Sequence, residues 1–441
     1  MKTLDGNIIF YGRMDNQIKL NGQRVELGEI ESRIREIEKI DNVKVLIKKY
    51  GNLDYLVTYY TSTHRINSEI LKKKLHNFLP AYMVPNAFIC LEKFPLTPNG
   101  KLNIKYFESI PFEPEKNEHL IAPVNAAEES LLKTFKEILG RDDIGVENDF
   151  FEAGGDSLKA IELVSECDMV TLDNIYKNKT VRKIVADKNA GPNNEILKTL
   201  KKEISSMPNV ICIPYGGGNP YIYTYLSDHL NANVFAVDLP GHHFGDSASQ
   251  LISPDEIAKL CVREIIEKGI DNNLYIYGHC TGSSIAYALC RQLRTSSIKV
   301  ERLIVGAAFP FLSKADQISQ SGLSRTSNRD EAYSFIRALG GFKDDKINNQ
   351  QCDEMINWFI HDAETAQKYM QNFDFTIIPK LDTPLICITS SDDFFTEDVC
   401  DSVKNWDYIS NETHYYKFQT GGHYFIESRS EEVAKIIQSN F

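Results

Sequence analysis

Gly278-His279-Cys280-Thr281-Gly282 stands between an apolar run, Leu274-Tyr275-Ile276-Tyr277, and a helical pattern over residues 283–293. Small residues on both sides of a nucleophile let the chain turn sharply from strand into helix. The turn lifts the nucleophile above the sheet and onto the helix N-terminus. Here that nucleophile would be a thiol. The helix end and a neighbouring imidazole favour thiolate, the form that attacks an acyl carbon. The plainer alternative is a cysteine buried in a βα turn; the flanking glycines and the strand–helix context favour the nucleophile. A base is then needed, and His423 is the candidate. It sits in Gly421-Gly422-His423, after a strand over 415–418 and before a helix from Glu431. An acid must orient that imidazole. Asp392 and Asp393 both follow a strand over 385–388, and the offset past the strand end favours Asp393, with Asp392 as the alternate. The backbone N–H groups of Gly216, after a strand over 210–214, and of Thr281 would hold an acyl oxygen as it gains charge.

A second reactive group lies earlier. In Asn148-Asp149-Phe150-Phe151-Glu152-Ala153-Gly154-Gly155-Asp156-Ser157-Leu158, an apolar anchor precedes two glycines suited to a tight turn. Asp156-Ser157 then opens a helical pattern with Leu158, Ile161, Leu163 and Val164 apolar. A serine at a helix N-terminus can be an ordinary cap. It is also a good place for a phosphate ester, because the helix end attracts anions.

The elements that would position these groups fall into three segments. In residues 1–110, strands over 8–11, 43–49 and 55–60 and helices from Leu27 and over 67–78 predict a small α+β unit. In residues 118–190, helices over 125–139, from Ser157 and over 180–188 give three or four short helices, which predict a small bundle of the short four-helix-bundle kind. Residues 111–118 and 189–194 read as linkers. In residues 203–441, apolar strands alternate with helices, which predicts a mostly parallel sheet covered on both faces. The order Cys, Asp, His along the chain is that of an α/β-hydrolase. Residues 310–378 would then be an inserted helical lid that excludes water.

Composition narrows the function. The chain has 441 residues, enough for two to four domains, and a net charge of −12, which argues against a nucleic-acid partner. Nine scattered cysteines with no CxxC pair suit a reducing compartment and no zinc site. No apolar run is long enough for a membrane span, and Met1-Lys2-Thr3-Leu4-Asp5-Gly6 has no signal-like core. A cytoplasmic protein is expected.

The string around Ser157 resembles the carrier-protein signature of nonribosomal peptide synthetases. The resemblance implies a 4′-phosphopantetheine on Ser157, next to Asp156, installed by a phosphopantetheinyl transferase. The carrier stretch after Cys167 is shorter than the family's, which implies a trimmed bundle or an altered recognition face. In the first segment, the stretch from Gly12 to Glu31, Leu79-Pro80-Ala81-Tyr82-Met83-Val84-Pro85 and Asn99-Gly100-Lys101 resemble three motifs of an adenylation domain's C-terminal subdomain. Asp15 would be its hinge and Lys101 its catalytic lysine. The larger subdomain, with its phosphate loop and amino-acid pocket, has no counterpart here, so this chain alone is not expected to adenylate anything. It would work with an adenylation core or upstream modules.

Residues 205–441 resemble the thioesterase that ends many peptide synthetases. The matching pieces are Ile213-Pro214-Tyr215-Gly216-Gly217, Val237-Asp238-Leu239-Pro240-Gly241, the Cys280 turn and Gly421-Gly422-His423. Many releasing members carry the acid one strand earlier, where this chain has Gly306-Ala307-Ala308. An acid after the later strand resembles the proofreading type. The resemblance implies acyl transfer from Ser157 to Cys280, then release by cyclisation, aminolysis or hydrolysis. The alternatives are hydrolysis of mischarged carriers, and a non-catalytic carrier and docking module.

Overall fold

The computed structural model describes residues 17–20, 23–37, 40–50, 53–63, 66–75, 79, 83–112, 120–155, 157–167, 169–187, 195–202, 206–244, 250–310, 329–341, 349–397 and 400–441. The chain forms two compact units, Met1–Gly191 and Pro192–Phe441. Among the described residues no helix is long and apolar enough to cross a membrane.

Among the described residues, the first element of the first unit is an antiparallel ribbon of β1 (Gln17–Leu20) and β2 (Gln23–Glu26). Helix Leu27–Arg35 follows and buries Ile30 and Ile34. A three-stranded sheet pairs β3 (Ile40–Tyr50) antiparallel with β4 (Leu53–Ser62), and β4 parallel with β5 (Ala87–Cys90). One face of this sheet packs Val43, Val45, Leu56 and Tyr60 against Ile30, Ile34, Leu71 and Leu75. The other packs Tyr55, Val57 and Tyr59 against Phe107. The strand expected over 8–11 and the hinge candidate Asp15 lie outside the described residues.

Helices Ser68–Leu75 and Ile104–Ser109 pack on this sheet, and four further helices follow. Ala126–Leu139 starts at Asn125, whose side chain accepts from the Glu128 N–H, and stops at Gly140 in the left-handed region. Ser157–Glu166, Leu172–Asn178 and Val181–Ala186 follow. Leu131, Phe135 and Leu139 meet Phe150, Leu163, Ile175, Val181 and Ile184 in one core. Leu172–Asn178 was not foreseen. Its apolar pattern is only two turns long, but Thr171 caps it and Ile175 is fully buried. A helix therefore stands within the short stretch after Cys167.

The second unit is a seven-stranded sheet in the order β12-β11-β10-β9-β7-β8-β6. The strands are β6 (Leu197–Lys201), β7 (Asn209–Ile213), β8 (Asn233–Val237), β9 (Leu274–His279), β10 (Val300–Gly306), β11 (Leu385–Ser390) and β12 (Thr413–Phe418). β6 runs antiparallel to β8 and every other pairing is parallel. The sheet thus takes in residues ahead of the expected start at 203. β6 carries no strong sequence signal because it is an edge strand broken by polar residues, Leu197-Lys198-Thr199-Leu200-Lys201, rather than an apolar run. The strands β7, β8, β9 and β11 are buried from end to end, as strands covered on both faces must be. Helices Pro254–Glu267 and Gly282–Thr295 supply one covering layer, and Thr224–His229 and Ser430–Gln438 contribute to the other.

Candidate active site

Strand register fixes which loops meet. Ile213 of β7 pairs with Gly278 of β9, and His279 of β9 with Gly306 of β10. Gly306 pairs in turn with Ile388 of β11, and Ser390 of β11 with Phe418 of β12. The loops after these strands therefore rise from one edge of the sheet. After β7 the chain moves toward β8; after β9 it moves the other way, toward β10. The crevice at such a reversal is where open parallel sheets bind ligands.

Cys280 occupies the turn after β9 with a backbone φ of 51°. For an L-residue this left-handed conformation costs about 1–2 kcal/mol. It is held by the Cys280 N–H donating to Gly306 O at 2.8 Å and the Ser283 hydroxyl donating to Gly278 O at 3.0 Å. The flanking glycines leave no room for a side chain. A Cβ on Gly282 would stand 2.4 Å from Pro214 O, and one on Gly278 would stand 2.6 Å from Gly282 O. The helix Gly282–Thr295 begins immediately afterwards. Cys280 is half-buried, whereas Cys212, Cys261, Cys290 and Cys387 are fully enclosed, and burial pushes their thiols far up.

His423 and Asp393 are both buried and meet at 3.1 Å, His423 Nδ1 to Asp393 Oδ2. Asp393 also accepts from the Phe395 N–H at 3.1 Å and the Thr396 hydroxyl at 2.9 Å, so the carboxylate is fixed. His423 Nε2 is buried without a hydrogen-bond partner among the described residues. Burial works against a charged ring here. The charge at Cys280 and the bond to Asp393 outweigh it, and His423 is pushed up to about 10. Cys280 and Asp393 are thus the two groups that hold the ring up. Asp392 points elsewhere. It accepts from the Ser390 hydroxyl at 2.6 Å and from the N–H groups of Gly422 at 2.7 Å and Gly421 at 3.1 Å. It braces the loop that carries His423.

A second histidine supports the first. His279 is fully buried, with Nε2 at 2.8 Å from His423 O and Nδ1 at 2.8 Å from the Tyr277 hydroxyl. A carbonyl only accepts, so Nε2 carries the proton and Nδ1 accepts from Tyr277. Burial, with the neighbouring His423 charge second, pushes His279 down to about 3. The native state therefore keeps His279 neutral while the unfolded chain protonates it near pH 6.5. Between those values the unfolded state binds the extra proton, so stability falls as pH falls. We expect His279→Asn to flatten this acid limb, at the cost of lower stability at pH 7. Denaturant unfolding at pH 5 and pH 7 checks it; an unchanged difference between the two pH values refutes it.

Gly216 and Thr281 face each other: a Cβ on Gly216 would lie 3.2 Å from Thr281 Oγ1. Among the described residues neither backbone N–H donates to a protein acceptor. Over them lies the lid, made of helices Arg329–Leu339 and Asn349–Gln371 packed through Ala332, Ile336, Ile356 and Phe359. Phe359 comes within 3.2 Å of that same Gly216 position. Asp362 on the lid accepts from the Gly217 N–H at 2.9 Å and meets His242 Nε2 at 2.9 Å. No sequence signal pointed to this contact, which joins residues 120 apart.

In the first unit, Ser157 is the first residue of its helix, and Asp156 lies outside the described residues. The approach fits a phosphate ester. Gly154 has φ of 101°, and a Cβ on Gly155 would collide with the Phe150 ring at 2.4 Å, so Phe150 clamps the turn that presents the helix end. Lys159 Nζ donates to Gly154 O at 2.7 Å and ties the helix back onto the same turn. Lys101 is exposed on the turn closed by the Gly100 N–H donating to Thr97 O at 2.9 Å.

Comparison with known proteins gives two family matches. The thioesterase domain model matches residues 208–441 and the phosphopantetheine attachment site model matches residues 129–187. Gramicidin S synthase 2 of Brevibacillus brevis is 38% identical over 398 residues, 85% of this chain and 8% of its own length. Surfactin synthase subunit 3 of Bacillus subtilis is 28% identical over 307 residues, 68% of this chain and 23% of its own. A solved four-domain nonribosomal peptide synthetase bound to AMP and glycine aligns over 98% of this chain and 35% of its own, at 26% identity and a TM-score of 0.44. The chain thus spans a small fraction of the length of these curated relatives.

Proposed function

The chain belongs to the thioesterase domain family, with a phosphopantetheine-bearing carrier of the nonribosomal peptide synthetase kind ahead of it, and on that premise we propose that it receives an acyl or peptidyl group at Cys280 and releases it. The reading carries the domain boundaries 1–110 and 118–190, and moves the start of the third domain back from 203 to take in β6, with the first segment the C-terminal subdomain of an adenylation domain and Lys101 its functional lysine. Upstream modules and a phosphopantetheinyl transferase are the proposed partners. Ser157 would hold the arm through a phosphate ester at its helix start. The arm, when attached, supplies a thioester to the releasing site.

The observation that carries the reading is His423, fixed by Asp393 at Nδ1 while Nε2 is buried without a hydrogen-bond partner among the described residues. His423 holds the Cys280 proton on Nε2 as the sulfur bonds to the acyl carbon. Gly216 and Thr281 N–H hold the carbonyl oxygen as it gains charge. The carbon–sulfur bond of the incoming thioester then breaks, and the imidazolium gives its proton to the departing thiolate. An amine or hydroxyl of the acyl chain, or water, attacks next, losing its proton to His423 as the bond to Cys280 breaks. Exchange of one thioester for another keeps the acyl carbon activated, which favours cyclisation or aminolysis over hydrolysis. The acid's place after β11 rather than β10 supports a second reading, in which mischarged acyl groups are hydrolysed off carriers.

The test loads Ser157 of the full chain with a candidate acyl-pantetheine and follows carrier, Cys280 and product by intact mass spectrometry. We expect acyl transfer to Cys280 and a cyclic or amide product. A linear free acid as the sole product removes cyclisation. Acyl groups that never leave Ser157 remove the releasing function.

A further inference from the structure

Three glycines in a row, Gly216-Gly217-Gly218, form the loop after β7. Such a loop has wide freedom in φ and ψ, and glycine loses the most on being ordered. Yet a useful oxyanion donor must be fixed before the charge arrives. Something outside the loop must therefore hold it. Gly218 N–H donates to Tyr215 O at 2.8 Å, which closes the turn locally. Gly217, with φ of 70°, is held instead from the lid: its N–H donates to Asp362 Oδ2 at 2.9 Å. The lid helix also presses against the same residues, with Met355 O 3.1 Å from the Gly217 Cβ position and Phe359 3.2 Å from that of Gly216.

A carboxylate beside an oxyanion is normally harmful, since like charges repel. His242 answers this. Its Nε2 meets Asp362 Oδ2 at 2.9 Å and its Nδ1 meets Pro240 O at 3.2 Å. Both partners only accept, so both ring nitrogens donate and the ring is a cation. The ring is buried against Trp358 of the lid at a centroid distance of 5.3 Å. Burial alone would neutralise it; the Asp362 charge and hydrogen bond, with Pro240 O and the Asp238 charge, hold it above its ordinary value. The loop after β8, the lid and the loop after β7 thus meet at one neutral pair.

We propose that Asp362 is the positioning residue of the oxyanion loop, holding Gly217 so that the Gly216 N–H is aimed at the acyl oxygen while His242 cancels its charge. The inference rests on the reading of Cys280 as nucleophile. It makes the docked lid a condition of electrophilic assistance as well as a shield against water. Asp362 touches no reacting atom and acts only through the loop.

Acylation and alkylation of Cys280 separate the two ideas. p-Nitrophenyl acetate acylates a thiol through a tetrahedral oxyanion. Iodoacetamide alkylates it by direct displacement and needs no oxyanion donor. In the full chain we expect Asp362→Ala to slow the p-nitrophenolate burst at saturating ester by about 10- to 100-fold. Its iodoacetamide rate should stay within about 2-fold of wild type, since thiolate and access are untouched. Asp362→Asn, whose amide oxygen still accepts from Gly217, should recover the burst to within about 5-fold. Should Asp362→Ala fail to fold, His242→Gln serves: it leaves the carboxylate uncompensated and should slow the burst while sparing alkylation. An unchanged burst, or burst and alkylation falling together, overturns the proposal. A burst that survives Cys280→Ala overturns it along with the reading of Cys280; a burst that needs Cys280 but ignores Asp362 overturns the positioning role alone.

Discussion

Cys280→Ala should cut release of an acyl-loaded chain by roughly 10⁴-fold or more, the scale on which loss of a nucleophile acts when base and oxyanion donors remain. The fold should be untouched. Alanine is smaller than cysteine, and the bond that holds the turn runs from the backbone N–H of residue 280 to Gly306 O. Cys280→Ser is the more telling variant. Its hydroxyl reaches the same place, but the acyl group then rests as an ester rather than a thioester. An ester is the weaker acyl donor, so we expect acyl-enzyme to accumulate and be visible by intact mass, with aminolysis or cyclisation slowed more than hydrolysis. Steady-state release by wild type and both variants, with unfolding midpoints as a control, checks this. Release by Cys280→Ala within about 10-fold of wild type would mean that the residue is not the nucleophile.

Asp393→Asn should act nearly as strongly, by roughly 10⁴-fold in kcat, because the carboxylate decides which imidazole nitrogen carries the proton. Asp393 Oδ2 accepts from His423 Nδ1, so once the ring has given its Nε2 proton to the departing thiolate, Nε2 is left to take one from the attacking amine, hydroxyl or water. An amide can turn its NH₂ toward the ring, which fixes the opposite tautomer. The two carboxylates here allow a matched control. Asp392→Asn still offers one oxygen to the N–H groups of Gly421 and Gly422, so it should cost about 10-fold or less. The sign of the His423 titration gives an independent readout. Burial opposes its charge, while Cys280 and Asp393 push it up to about 10. Removing the Asp393 charge should therefore lower it, and removing the Asp392 charge should move it less. Imidazole NMR titration of both variants checks this ordering, and the reverse ordering of rates would transfer the acid's role to Asp392.

Asp392 and Asp393 also mark where reading the chain stops. Both are acidic, both follow β11, and only one residue separates their offsets. Their opposite duties come from the turn after Ser390, whose hydroxyl holds Asp392 toward Gly421 and Gly422 while Asp393 drops into the buried space beside His423. Nothing local in the sequence distinguishes those directions. His279 is similar. Within the turn around Cys280, nothing in the local sequence marks it as a support. Its contact with His423 O exists only because β9 places its last side chain under the loop after β12.

The sequence alone determined what depends on local pattern. Apolar runs between helices specified a parallel sheet, because strands buried on both faces cannot alternate. Glycines around Cys280 specified the sharp turn, because no side chain fits there, and the string before Ser157 specified a carrier helix start. What tertiary structure decided is everything set by register and by packing between distant segments. That includes the edge strand β6, the helix Leu172–Asn178 made stable by a buried Ile175, and the meeting of Asp362, His242 and Gly217. Those groups lie up to 145 residues apart, and a hydrogen bond across that span leaves no period, motif or composition behind it.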